Sequence, residues 1–567
     1  MGKTRVADYI ADFISGQGVK DVFMMSGGGS IFLDDGLACN KDLNAVCVRN
    51  EAAAPMMAKA VAMLTKNIGV VYVTSGPGGA NAVSGLSDAW VDSVPVMVIS
   101  GQVPRAYTSY NVKDRRIRNF GIQEMNIIDL VKSITKYAEV VNDPETIRYH
   151  LEKAVHLARS GRPGPVWLDI PLDVQAAVID TSSLEGYEKD EGAYCNTPVQ
   201  IEEIIALLKK AKAPLLIGGQ GIKIAGAVEE FKELVELLDV PVIFSRMGQD
   251  ILPFSHKNNF GHGGMKGQRF TRMITRESDL VISIGSRLSV PFLGENLDAF
   301  SKDAKIVMVD IDEAELNKPT IKIDIQCQAD AKMFIRELIR RLKAEKLPDT
   351  GGWLKECREL KEKYPLILPE MKKDPIDLYY FCSRLDAASG GSNIFVSDAG
   401  SSYYVMGQAL RFEKGQREIT SGAFASMGLA IPLAIGCSFA DKDAQVLAVT
   451  GDGSFELNIQ ELKTMSYYKC NVKLFVINNG GYVSIRNTQD RVCEGRYIGS
   501  DQGSCDDVLN FKKVADAFDL PYSLMDKSGS IDEDLKKIMS KSGPILIEVV
   551  CDNKQKIIEP IKPKEAA

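Results

Sequence analysis

Val446-Leu447-Ala448-Val449-Thr450-Gly451-Asp452-Gly453-Ser454 and, further on, Leu474-Phe475-Val476-Ile477-Asn478-Asn479 decide how this chain folds. Each begins as a short apolar run of strand length and closes on glycine or polar residues. Between them, Gln460-Glu461-Leu462 to Tyr468 reads as a helix. About 25 residues separate Gly453 from Asn479, enough for a crossover, so the two strands run parallel with their carboxyl ends side by side. Asp452 then offers a carboxylate and Asn479 an amide oxygen at one edge of a sheet. Hard oxygen donors suit Mg2+, which keeps an octahedral shell and shares it with phosphates. Gly451 and Gly453 let the backbone come close to those phosphates. Gly-Asp-Gly alone is a turn sequence; the spacing and the two strand ends give the pair its meaning.

A chain of 567 residues accommodates roughly three domains, each with its own core. The net charge of -7 and a pI near 5.5 argue against nucleic acid as a general partner. No apolar run is long enough to span a bilayer and no basic-then-apolar leader opens the sequence, so no membrane partner and a cytoplasmic location are expected. The eleven cysteines are scattered without a Cys-x-x-Cys pair. Those in apolar runs, such as Cys47 and Cys437, read as small buried hydrophobes in a reducing compartment. The four histidines, His150, His156, His256 and His262, lie away from the motifs, which makes a histidine-centred triad hard to build.

Apolar runs alternate with helical stretches along the whole chain, implying an α/β fold of three consecutive parallel-sheet domains. The first, 1–180, has strand candidates at 21–25, 69–74, 95–100 and 165–170. Thr181 to Pro198 reads as a linker. The second, 197–346, has candidates at 214–217, 240–244, 280–284 and 306–309. A charged helical connector ends near Pro375, and the third domain, 376–560, carries the Asp452/Asn479 motif. The first and third domains have similar element order.

Further short motifs are spread over the chain. They are Asn50-Glu51-Ala52-Ala53, Thr74-Ser75-Gly76-Pro77-Gly78, Ile99 to Pro104, Gln123-Glu124, Ile134-Thr135-Lys136, Gly161 to Pro165 and Met427 to Pro432. Together with the metal motif they resemble the thiamin diphosphate (ThDP) enzymes of the acetolactate synthase large-subunit type. The resemblance implies a pyrimidine-binding domain, a central domain and a diphosphate-binding domain, in that order. It implies that Glu51 hydrogen-bonds N1' of the aminopyrimidine and, with Gln123 and Met427, forms the catalytic group, Met427 wedging the cofactor into a bent shape. It makes Gly76, Gly400-Ser401-Ser402, Gly451, Gly453 and Ser454 cofactor contacts, and lets the Gly481 carbonyl complete a Mg2+ shell with Asp452 and Asn479. In the central domain, Gly218-Gly219-Gln220-Gly221 follows a strand. Met247-Gly248, Gly264 to Gly267, Gly285-Ser286-Arg287 and Asp310-Ile311-Asp312 fall where this type lines an FAD site. Gly219, Arg162, Arg287 and Asp310 are the expected contacts, Arg287 on the diphosphate; a vestigial nucleotide fold is the alternative.

Three departures bear on the acceptor. Acetolactate synthases carry Phe, Arg and Trp where this chain has Ile122, Pro291 and Thr488. A lost bidentate arginine removes about 1.5–3 kcal/mol of carboxylate binding. With Lys136 and Arg486 as remaining cations, the pocket reads as roomier and less cationic, suited to a bulky neutral ketone. This resembles the branch that adds a two-carbon unit to keto sugars in surface-polysaccharide synthesis. The expected activity is decarboxylation of pyruvate with carboligation, in a homodimer or homotetramer with sites at the subunit interface. Acetolactate synthesis itself, C–C hydrolysis or cleavage of a cyclic diketone, and pyruvate oxidation stay open.

Overall fold

The computed structural model describes residues 2–112, 114, 116–189, 200–297, 300–301, 303–504 and 507–561. Three six-stranded sheets follow one another, and every strand pair in them is parallel. Across the first sheet the strands are Asn44–Cys47, Asp21–Met24, Gly69–Val73, Val96–Gln102, Val166–Pro171 and Tyr137–Val140. Across the third they are Arg417–Ile419, Ile394–Ser397, Val446–Gly451, Val472–Asn478, Ile545–Val550 and Tyr522–Met525. Numbered by chain order within each sheet, both read 2-1-3-4-6-5. The central sheet runs Asn259–His262, Val242–Phe244, Pro214–Gly218, Leu280–Ile284, Lys305–Asp310 and Ile325–Gln328, which reads 3-2-1-4-5-6, the doubly wound dinucleotide order.

The interior strands form where the apolar runs expect them, except Ile545–Val550, which was not picked out; a strand covered on both faces must be apolar throughout. The six edge strands are not marked by those runs. Asn44–Cys47 is largely exposed and Tyr137–Val140 is half-buried, and they carry polar residues such as Asn44 and Glu139. Edge placement also corrects the reading of Cys47: it is exposed on the outermost strand, whereas Cys437, inside a helix, is buried. The 190–198 portion of the expected linker lies outside the described residues. Among the described residues no helix is long and apolar enough to cross a membrane.

The largest contact between the first and third domains is made by two helices. Helix Ala53–Thr65 follows the second strand of its sheet, and helix Ala430–Ala440 follows the second strand of the other; the two lie against each other. Ala430–Ala440 is apolar on nearly all sides, the pattern of a helix without a solvent face. A side-chain carbon on Gly436 would stand 2.3 Å from the Met57 carbonyl oxygen, so only glycine allows this approach. A single apolar cluster runs through the contact from Phe23 and Val71 to Leu433 and Val476. Beside it, the fully buried Lys59 ammonium sits 2.6 Å from both Asp88 and Asp92. Ser421 and the Gly422 N–H donate to the same two carboxylates from the other domain. Gly436→Ala is expected to cost about 1–3 kcal/mol through overpacking, read as a lowered melting temperature of the cofactor-free protein.

Candidate active site

The strand ends Gly451 and Ile477 are register partners, which brings Asp452 beside Asn478 and Asn479. The buried Asp452 carboxylate accepts the Gly453 N–H through Oδ1, at 2.9 Å. Through Oδ2 it accepts the Asn479 and Gly481 N–H groups, both at 3.0 Å. Burial pushes the Asp452 carboxyl up, while these N–H groups and the Arg486 charge pull it down; the net direction is up. A carboxylate so placed calls for a cation. Among the described residues no cluster of three or more His, Cys, Asp or Glu side chains could hold one. A metal here would therefore draw on the Asn479 amide, the Gly481 carbonyl and phosphate oxygens, the hard donor set that suits Mg2+. Gly480 and Gly481 both have positive φ, 71° and 98°, which turns the backbone around the carboxylate. The Gly481 carbonyl also accepts the Val483 N–H at 3.0 Å.

Around this loop the strand ends are tied by Asp398. Its Oδ2 accepts Ser454 Oγ at 2.5 Å and Thr450 Oγ1 at 2.9 Å, and its Oδ1 accepts the Ala399 N–H at 2.7 Å. Ser454 Oγ in turn accepts the Gly428 N–H at 2.8 Å, which anchors the loop carrying Met427. Helix Gly400–Ala409 starts at the same edge without a side-chain cap, so its first N–H groups are open to an anion. Ser402 turns its hydroxyl back onto the Ala399 carbonyl. Gly453 packs on the Tyr482 ring, which a side chain there would strike at 2.3 Å.

A second group gathers at the edge of the first sheet. The Glu51 carboxylate is buried and accepts Asn81 Nδ2 at 3.0 Å. A carbon on Gly78 would stand 3.4 Å from Glu51 Oε1. Gly76, at φ 57°, approaches Gln123 so closely that a side-chain carbon would sit 2.0 Å from the Gln123 carbonyl. Gln123 is exposed, whereas Glu124 is buried and holds Ser109 and the Phe120 N–H. The loop Gly27-Gly28-Gly29 joins this edge through the Gly29 N–H, which donates to Thr74. Neither that glycine run, nor Asn81, nor Asp398 was singled out by sequence reasoning. Three consecutive glycines after a strand and an Asp before Gly400 are the signals that could have found two of them.

The central sheet builds a cavity of about 1110 Å3. Strands Pro214–Gly218 and Leu280–Ile284 are neighbours where the strand order reverses, the place where doubly wound sheets bind ligands. Gln220, Gly221, Gly285, Ser286 and Arg287 line it there; Gly219 stands one step back, against the Gly285 carbonyl. Asp310 lines one side, its carboxyl pushed up to about 6 by burial. His262, Tyr403 and Gly422 line the other, so one histidine does reach this wall. The volume and the glycine approach fit a dinucleotide. Arg162 is on the wall too, but its guanidinium is paired with Asp312 at 2.9 Å and Glu315 at 2.8 Å. Arg287 donates to the Val91 carbonyl at 2.7 Å.

Residues 4–130, 201–338 and 398–549 match family profiles described as thiamine pyrophosphate enzyme N-terminal TPP binding, central and C-terminal TPP binding domains. The acetolactate synthase large subunit of Lactococcus lactis subsp. lactis is 32% identical over 546 residues, 95% of this chain and 91% of the relative. The acetolactate synthase isozyme 1 large subunit of Escherichia coli is 30% identical over 564 residues, 99% of this chain and 96% of the relative. This chain belongs to the thiamine pyrophosphate enzymes of the acetolactate synthase type.

For such an enzyme the residues expected at the acceptor are instructive. Pro291 lies on the wall of the central cavity and its carbonyl accepts the Met265 N–H. Ile122 is 86% exposed, and Thr488 is exposed on helix Val483–Val492, bonded to Ser484. The two cations expected there serve the backbone instead. Lys136 donates to the Ser160 and Arg162 carbonyls, at 2.6 and 2.8 Å, and burial lowers its pKa to about 8. Arg486 is buried and donates to four carbonyls, those of Gly480, Ser500, Asn479 and Asn553. Through these bonds it braces the loop 479–481 that wraps the Asp452 carboxylate. Arg486→Met is expected to weaken Mg2+–ThDP binding by about 10–100-fold, the usual cost of losing an outer-shell partner, measured by fluorescence titration of the cofactor.

Proposed function

We propose that this enzyme decarboxylates a 2-keto acid, pyruvate, and joins the two-carbon unit to an acceptor ketone or keto sugar. The reading rests on one observation above all. A thiamine pyrophosphate enzyme chain holds both halves of the chemistry: the Asp452–Asn479–Gly481 cradle and the Glu51 carboxylate beside Gly78. ThDP, when bound, supplies the electron sink that a 2-keto acid lacks. Asp452, Asn479 and the Gly481 carbonyl would hold Mg2+, and the uncapped start of helix Gly400–Ala409 would receive the diphosphate. Glu51 would share a charge-assisted hydrogen bond with the aminopyrimidine, in a pocket cleared by glycines. Met427 would support the cofactor from the loop that Ser454 anchors. FAD is the proposed occupant of the central cavity, where Gly221, Arg287 and Asp310 would line it. The proposed domain units are 1–180, 197–346 and 376–560, and the proposed location is the cytoplasm.

Among the described residues Glu51 and Asp452 sit in separate hydrogen-bond groups, Glu51 with Asn81 and Asp452 with the backbone of its own loop. The proposed assembly is a homodimer or a tetramer of such dimers, in which one chain's Glu51 meets its partner's metal loop. Mixing Glu51→Gln with Asp452→Asn chains, each nearly inactive alone, should then restore about one quarter of wild-type activity. Half of the reassembled dimers are mixed, and each has one intact site. No recovery after verified subunit exchange would place both residues in one chain's site.

The acceptor is the finer question. No arginine stands at Pro291, and Lys136 and Arg486 are committed to carbonyls. Nothing among these positions replaces the grip on a second keto-acid carboxylate. Pyruvate is therefore the donor, and a bulky neutral ketone or keto sugar the preferred acceptor. Offered both acceptors at once, the enzyme should form the ketone adduct at least about tenfold faster than acetolactate, the ratio one charge-assisted contact commands. Mass spectrometry of the products decides: dominant acetolactate returns the enzyme to acetolactate synthesis. Cleavage of a cyclic diketone without either product points to a hydrolase.

A further inference from the structure

Just ahead of Glu51, the chain is gripped by the third domain of the same molecule. Glu461, in helix Glu461–Tyr467, is fully buried. Its Oε1 accepts two successive backbone N–H groups, from Arg49 at 2.8 Å and Asn50 at 2.9 Å. Its Oε2 accepts Thr464 Oγ1 at 2.7 Å, which fixes the carboxylate's orientation. Burial pushes this carboxyl up and the three donors pull it down. Two neighbours on the same stretch extend the seam. Tyr468 Oη accepts the Cys47 N–H at 2.9 Å and donates to the Ala45 carbonyl at 3.3 Å. Asn458 donates to the Gly428 carbonyl at 2.8 Å and lies 3.8 Å from the Met56 sulfur.

From these contacts we infer that Glu461 is a positioning residue for Glu51. The segment Arg49–Glu51 leaves an exposed edge strand and enters helix Ala53–Thr65 through a turn with no side-chain cap. An edge strand is poorly placed to hold a carboxylate to within a fraction of an ångström. One buried carboxylate holding two successive N–H groups fixes both the direction and the height of that turn. Bonds from N–H groups to a charged acceptor are the strong kind, and misplacing a reacting group by about 1 Å can cost 100-fold in rate. Glu461 also follows Asp452 by nine positions in one chain, so in the proposed dimer the domain that carries one site's Asp452 aims the Glu51 of the other site. This inference rests on Glu51 being the proton-sharing group of the proposed function.

The test uses the full-length protein and three variants. Glu461→Ala removes the acceptor. Glu461→Asp keeps the charge but withdraws it by one methylene. Glu461→Gln keeps an oxygen in place for both N–H groups. Three quantities are read: amide hydrogen exchange of peptide 44–52 in the cofactor-free protein, the dissociation constant for Mg2+–ThDP, and the rate of proton exchange at C2 of bound ThDP. Ala and Asp should each deprotect the 49–50 amides and slow C2 exchange about 10–100-fold, with the cofactor dissociation constant within about threefold of wild type. Gln should restore C2 exchange to within about threefold. The Asp variant keeps the test alive if Ala fails to fold. Wild-type C2 exchange in either Ala or Asp overturns the inference, as does equal loss in Gln. Glu51→Gln runs alongside: wild-type C2 exchange there sinks the underlying reading of Glu51, an outcome distinct from failure at Glu461.

Discussion

Everything in this molecule that concerns chemistry hangs on the close approach of helices Ala53–Thr65 and Ala430–Ala440. Gly436 lies against the Met57 carbonyl, and no other side chain fits there. Because each helix follows the second strand of its own sheet, the contact relates two like-ordered domains. The loops that lead into the helices therefore occupy equivalent places. One carries Glu51 and the other Met427. Packing two helices by their backbones leaves little room for sliding, which fixes the Glu51 loop and the Met427 loop of one chain relative to each other. The buried Lys59–Asp88–Asp92 group, bonded from the far side by Ser421 and Gly422, adds a polar lock to the apolar contact.

The site's charges are handled by the backbone more than by counter-ions. Asp452, Asp398 and Glu461 are all buried carboxylates, and most of what they accept comes from N–H groups and hydroxyls. Arg486 mirrors them as a buried cation satisfied by four carbonyls. Burying a charge is costly unless its hydrogen bonds are met, and here they are met by loop backbone. The loops are shaped by the charges they enclose. That arrangement leaves the Asp452 carboxylate held by N–H groups rather than by an ion pair among the described residues. The central domain follows the same economy: Arg162 and Arg287 are partly committed to Asp312, Glu315 and the Val91 carbonyl, joining the first domain to the second beside the cavity.

Much of this was legible in the sequence. Interior strands announce themselves as apolar runs because both faces are covered, and a crossover unit has one handed, parallel solution. Asp452 and Asn479 could thus be placed at one sheet edge from their spacing alone. Glycines at Gly76, Gly481 and Gly436 mark places where the backbone turns or comes close, although the residue each approaches is not visible in the string. Edge strands such as Asn44–Cys47 were hidden, since half-exposed strands tolerate polar residues and lose the apolar signature.

What only the tertiary structure decided is which charges are free. In the sequence Arg486, Lys136 and Arg162 are equally good cations for a substrate or a diphosphate. Folding spends the first two on carbonyls and pairs the third with Asp312 and Glu315, because a buried donor takes whatever acceptor the fold brings within 3 Å. The contacts that Asp398 and Glu461 make were invisible for the same reason. Beyond the local bonds to Ala399 and Thr464, they hold Thr450 and Ser454 at 52 and 56 residues and Asn50 and Arg49 at 411 and 412, and no local pattern encodes a hydrogen bond across such a separation. Residue type and short spacing determine the chemistry available to this chain. The long-range contacts determine which residues are left to perform it.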